Sequence, residues 1–88
     1  MFSINLKGKL AWVTGGSRGI GRAICESLAE AGCDVVVGYR GSVEAAGEVC
    51  GIVRGFGNRS MAVQVDVSDS DSCIQAYQLI KERMGPFR

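Results

Sequence analysis

The chain has 88 residues, 47% hydrophobic and 22% charged, and a formal net charge of +1. That is enough for one small globular domain, and the near-neutral balance leaves no field to gather nucleic acid or an anionic membrane surface. No apolar run approaches the roughly 20 residues that span a bilayer. The cysteines Cys25, Cys33, Cys50 and Cys73 stand singly, without a C-x-x-C pair, and the chain has no histidine, which argues against a metal site. Met1-Phe2-Ser3-Ile4-Asn5 lacks the charged start and apolar core of an export signal. Reduced, partly buried thiols and a cytoplasmic location are the expectation.

In chain order, Leu10-Ala11-Trp12-Val13 is a short apolar run suited to a buried parallel strand. A helix is predicted from Ile20 to Ala31, with an apolar face of Ile20, Ile24, Leu28 and Ala31, closed by Gly32 at its C-terminus. Asp34-Val35-Val36-Val37-Gly38-Tyr39 reads as a second buried strand. A second helix should start near Ser42 and run to about Phe56, burying Ala46, Val49, Val53 and Phe56. Its Gly47, Gly51 and Gly55 share one face, which suggests either close packing against another helix or, as we favour, a marginal helix held by tertiary contacts. Met61 to Val67 supplies a third strand. Ser68, with Asp71 three residues on, reads as the N-cap of a third helix carrying Ile74, Tyr77, Ile80 and Met84 and ending at Gly85-Pro86. Three βα units without a linker predict one domain over residues 1–88, with a parallel sheet and right-handed crossovers. The fold class is Rossmann-type three-layer α/β, the N-terminal half of a doubly wound sheet, strand order 3-2-1.

Between the first strand and first helix lies Thr14-Gly15-Gly16-Ser17-Arg18-Gly19-Ile20-Gly21. Unpaired N–H groups at a helix start converge on one point, and the macrodipole favours an anion there. Glycine permits positive φ and lets a pyrophosphate approach without meeting a Cβ. Gly15 and Gly19 should shape the turn, Ser17 offers a hydroxyl, and the Ile20 and Gly21 amides lie at the helix N-terminus. In such units an acidic residue at the end of the second strand binds a ribose 2′-OH, whereas an arginine accommodates a 2′-phosphate. Here stand Tyr39 and Arg40, with no carboxylate before Glu44, and Arg18 lies inside the turn.

The octapeptide fits Thr-Gly-x-x-x-Gly-x-Gly rather than G-x-G-x-x-G or a P-loop, and with it the chain resembles the short-chain dehydrogenase/reductase family. The resemblance extends over essentially the whole chain, from the lead-in Leu6-Lys7-Gly8-Lys9 to the third helix. It is nearest to 3-oxoacyl-carrier-protein reductases, enzymes of fatty acid biosynthesis. It implies that Asp66 accepts from the adenine amino group and the Val67 amide donates to the ring. It also implies that basic residues at Arg18 and Arg40 go with NADP(H), and that the parent protein is a homo-oligomer.

The family's catalytic tyrosine lies in Tyr-x-x-x-Lys, with a serine and an asparagine completing the site. Tyr77-Gln78-Leu79-Ile80-Lys81 has that spacing, but the resemblance places it on the helix after the third strand, away from the catalytic helix. No catalytic residue is therefore assigned. Gly85-Pro86-Phe87-Arg88 reads as a lead-in to a fourth strand. The expectation is an N-terminal NADP(H)-binding segment of a carbonyl reductase, inactive alone and prone to self-associate through an open sheet edge. The alternatives are a non-catalytic nucleotide-binding module and an interaction module whose turn holds no ligand.

Overall fold

A computed structural model describes residues 8–15 and 19–85. The lead-in residues Leu6 and Lys7 and the Pro86–Arg88 end lie outside them. The order is β1 (Leu10–Thr14), α1 (Gly19–Glu30), β2 (Asp34–Tyr39), α2 (Val43–Gly55), β3 (Ser60–Gln64) and α3 (Ser70–Met84). The strands form one parallel sheet ordered β1-β2-β3, with Trp12 beside Val36 and Val36 beside Met61. This is the expected 3-2-1 order.

Strand alternation builds the layers. Val35 and Val37 face α1 and α2, meeting Cys25, Ala29, Ala46, Val49, Cys50 and Val53. Val36 points the other way, into Leu10, Val63, Val65 and the α3 residues Ala76, Ile80 and Met84. Each fully buried valine is worth about 1.5–3 kcal/mol, and β2 has three in succession. None of the cysteines is in a disulfide. Burial first, then Cys50 and Glu26, push the Cys25 thiol up to about 11, so it is an inert core residue at neutral pH.

Local caps set the helix ends. Gly32, at φ 95°, donates to the Ala29 carbonyl while Cys33 donates to that of Leu28, a Schellman closure of α1. Asn58 Nδ2 reaches the Ala29 carbonyl as well, at 2.6 Å. Ser42 Oγ accepts from the Ala45 amide at 3.1 Å, so α2 begins where the sequence indicates. Asp34 holds the start of the sheet: its carboxylate takes the Arg59 amide at 2.8 Å and Arg59 Nε at 3.0 Å, while Arg59 Nη2 donates to the Met84 carbonyl at 3.3 Å.

Several sequence expectations are corrected. The regular third strand is Ser60–Gln64 rather than Met61–Val67, although the Val65 amide extends the ladder to the Tyr39 carbonyl at 2.8 Å. In α1 the buried line is Cys25 and Ala29, and Ile20 and Ile24 are exposed. Small side chains let this helix lie close to the sheet and α2, so the larger isoleucines flank the contact. Phe56 is exposed because it sits at the C-cap, past the last turn of α2, and Cys50 takes the buried place instead. In α3 the buried line is Ala76, Ile80 and Met84 at i, i+4 and i+8, leaving Ile74 and Tyr77 exposed. The N-cap of α3 is Asp69, which accepts from the Asp71 and Ser72 amides, because Ser68 is engaged by Asp66. The glycine face of α2 is exposed, and among the described residues nothing outside the helix's own backbone lies within 4 Å of a Cβ placed on Gly47, Gly51 or Gly55. Its opposite face holds the helix to the sheet.

Ile80 is 0% exposed and Ile74 is 55% exposed. Ile80→Ala should cost about 2–5 kcal/mol, and Ile74→Ala should stay within about 0.5 kcal/mol of the parent. Urea melts of the two variants measure the difference.

Candidate functional site

Because the strands are parallel, the C-terminal ends of β1, β2 and β3 share one edge of the sheet. In open α/β sheets ligands bind in the crevice at this edge. β1 delivers Gly15, whose amide donates to the Gly38 carbonyl at 3.0 Å and whose φ is 70°. Gly19, at φ 53°, opens α1. These left-handed values are strained for any residue with a Cβ, and among the described residues no non-neighbouring atom lies within 4 Å of a Cβ built at either glycine. Ile20 is exposed and Gly21 half-buried in the first turn of α1. Ser17 and Arg18 lie outside the described residues.

The helix starts differ in their electrostatics. α2 has its own N-cap and Glu44 in the first turn, and α3 has Asp69 and Asp71. α1 has no acidic residue in its first turn. No carboxylate of its own first turn answers its N-terminal dipole, and such a helix start favours an anion.

Tyr39 and Arg40 close β2, and Asp66 follows Val65 at the end of β3. The structure brings Arg40 and Asp66 together: Arg40 Nη2 lies 3.9 Å from Asp66 Oδ2. Gln64 Nε2 donates to the Arg40 carbonyl at 3.3 Å, tying the end of β2 to β3. Asp66 Oδ1 accepts from the Ser68 amide at 3.0 Å and the Ser68 hydroxyl at 2.6 Å. The Asp66 amide donates to Ser72 Oγ at 3.0 Å, and Cys73 Sγ donates to its carbonyl. The Ser68 hydroxyl first, then the Ser68 amide and more weakly Arg40, hold the Asp66 carboxyl below the usual carboxylate range. Val67 is exposed on the same turn.

Three shaping residues escaped the sequence reading. Ser68 and Gln64 orient Asp66 and Arg40, and an Asp-x-Ser turn is a signal that could have found Ser68. Gly38 is the third: a Cβ there would lie 3.0 Å from Trp12 Nε1, 3.2 Å from Thr14 Cα and 3.3 Å from the Val13 carbonyl oxygen. Trp12 Nε1 is buried without a hydrogen-bond partner among the described residues. Tyr77 and Lys81, by contrast, lie well along α3 and are exposed.

The parallel three-layer sheet with a glycine turn after β1 defines a Rossmann-type α/β protein. A family model for short chain dehydrogenases matches residues 9–88. Versicolorin reductase of Emericella nidulans is 40% identical over 80 residues, 91% of this chain and 30% of that protein. A 3-oxoacyl-[acyl-carrier-protein] reductase of Staphylococcus aureus is 44% identical over 79 residues, 90% of this chain and 31% of that one. The crystal structure of a short chain dehydrogenase from Burkholderia cenocepacia in complex with NADP is 41% identical, with a TM-score of 0.89 over 94% of this chain and 34% of that chain. The chain belongs to the short-chain dehydrogenase family. It spans about 30% of the length of the relatives it matches.

Two outcomes follow from this geometry. Gly38→Ala should cost about 1–3 kcal/mol, because two of the three close atoms are β1 backbone, and should shift Trp12 fluorescence; an equilibrium melt and an emission spectrum check both. Ser68→Ala should raise the Asp66 pKa in an NMR titration of the side-chain carboxyls. A lowered folded-state pKa means that the stabilisation from Asp66 is present above the ordinary carboxylate pKa and lost as pH falls through the lowered value. The window thus lies below about pH 4, and in the variant its lower edge should rise, narrowing it and shrinking the stabilisation lost.

Proposed function

We propose that this chain is the NADP(H)-binding portion of a short-chain dehydrogenase/reductase whose parent is an NADPH-dependent carbonyl reductase, of the kind that reduces 3-oxoacyl thioesters. The observation that carries the reading is Arg40, set at the end of β2 beside Asp66, where an NAD-binding unit would place a carboxylate. A guanidinium grips a 2′-phosphate through paired hydrogen bonds, and an acid at that point would repel it. Relatives named as 3-oxoacyl-carrier-protein, versicolorin and trihydroxynaphthalene reductases support carbonyl reduction, and the NADP complex of a neighbour supports the cofactor.

The residues present fit the group. Gly15 and Gly19 leave the backbone open to the pyrophosphate, with Ser17, Arg18 and the Ile20 and Gly21 amides completing the anion site. Tyr39 and Arg40 border the adenosine ribose, and Asp66 with the Val67 amide takes the adenine edge. The cofactor supplies a hydride, and the role of this portion is to bind and orient it. Proton transfer falls to groups outside the described residues, since Tyr77 and Lys81 sit away from the strand ends. Among the described residues β1 pairs only with β2, and its other edge takes a further strand, from the parent or from a second copy, within a cytoplasmic homo-oligomer. No described helix is long and apolar enough to cross a membrane.

Calorimetric titration with NADPH and NADH tests the cofactor reading. The unmodified protein should bind NADPH more tightly, and Arg40→Asp should lower that preference by about tenfold or more, as loss of a charge-assisted hydrogen bond implies. Tighter binding of NADH by the unmodified protein would overturn the assignment.

A further inference from the structure

We propose that the Arg40–Asp66 ion pair is a latch across the adenosine end of the site, closed in the nucleotide-free protein, which adenine must open and a 2′-phosphate then holds open. The inference rests on the reading of Asp66 as the adenine acceptor and Arg40 as the phosphate ligand, and adds that the two residues compete with their ligands by binding each other.

The carboxylate of Asp66 is divided between its oxygens. Oδ1 is occupied by the Ser68 amide and hydroxyl, at 3.0 and 2.6 Å. These bonds fix the carboxylate plane and leave Oδ2 as the oxygen able to face a ligand. Arg40 Nη2 stands against that oxygen, at 3.9 Å. The Arg40 backbone is fastened by the bond from Gln64 to its carbonyl, but its side chain is 80% exposed and that of Asp66 is 39% exposed. An anchored stem with a solvated head can swing without a large desolvation cost. The pair is accordingly weak, as exposed ion pairs are.

A nucleotide without a 2′-phosphate takes Oδ2 and releases the guanidinium to water. One with the phosphate gives the released guanidinium a doubly hydrogen-bonded partner. Removing the Arg40 side chain therefore acts in opposite directions on two ligands: it takes a contact from NADPH and an obstacle from 5′-AMP. A guanidinium that served only as a phosphate ligand would leave 5′-AMP unaffected.

The test uses the purified protein and its R40A, D66N and R40A/D66N variants, with circular dichroism to confirm folding. Affinities for NADPH are measured by calorimetry, and those for 5′-AMP directly and by competition against NADPH. R40A should weaken NADPH by about tenfold or more and tighten 5′-AMP by about two- to fivefold. The gain for 5′-AMP should vanish at about 1 M salt, where the screening length falls to about 3 Å. It should also vanish in the D66N background, where the amide oxygen still accepts from adenine but no charge holds Arg40. Weakened NADPH with unchanged or weakened 5′-AMP overturns the latch and leaves the phosphate reading standing. Unchanged NADPH binding in R40A overturns the phosphate reading itself, and so does failure of the unmodified protein to bind either ligand. A gain for 5′-AMP that persists in high salt and in the D66N background overturns the latch, because relief would then come from bulk rather than charge.

Discussion

The double-sided burial of β2 is the constraint on which the rest of this structure depends. Val35, Val36 and Val37 are each fully buried, and alternation sends Val36 toward α3 and its two neighbours toward α1 and α2. The same strand is paired on both edges, with β1 and with β3. A register slip of one residue would exchange the two faces and lose both cores together. The glycine turn after β1 and the Arg40–Asp66 pair are consequences of this one register, because it places Thr14 beside Gly38 and Tyr39 beside Gln64.

The two ends of the sheet use polar groups in opposite ways. At the N-terminal ends, Asp34, Arg59, Ser60 and Asn58 spend their hydrogen bonds on the chain itself: the Ser60 hydroxyl, buried, reaches the Val35 carbonyl at 2.7 Å, and Asn58 closes α1. Buried or half-buried groups satisfied in this way hold the strand starts rigidly. At the C-terminal ends the first turn of α1 has no acidic residue, Gly15 and Gly19 take positive φ, and the Arg40–Asp66 ion pair is exposed.

The bounds of β2, the start of α2 near Ser42, the glycine closure of α1 and the strand order were legible from local signals such as a valine run and a residue able to take positive φ. The buried faces of α1 and α3 were less so. Periodicity weighted Ile20, Ile24, Ile74 and Tyr77 by their size, whereas the contacts were made by Cys25, Ala29 and Ala76, whose small side chains let a helix approach its neighbours. Proximity decided there, and hydrophobicity alone does not carry it. At the site, Gly15, Gly19, Arg40 and Asp66 could be picked out singly, but their relations could not. That Ser68 would serve Asp66 rather than cap α3, and that Gly38 would have to yield space to Trp12, depend on atoms brought together by the fold.

The start of α1 shows why a sequence feature needs its neighbours to acquire meaning. The N-termini of α2 and α3 carry the same peptide dipoles, yet each is answered from within, by Ser42 and Glu44 in one and by Asp69 and Asp71 in the other. Their first turns are electrostatically closed. The first turn of α1 is instead Gly19, Ile20, Gly21 and Arg22, and Arg22 pairs with Glu26 at 3.2 Å and Glu48 at 3.8 Å. The positive end of this helix is therefore met by no carboxylate of its own first turn, beside two glycines whose backbones stand open. A family that binds a doubly charged pyrophosphate needs one such end, and it needs the others closed so that the anion is held in one place and in one orientation.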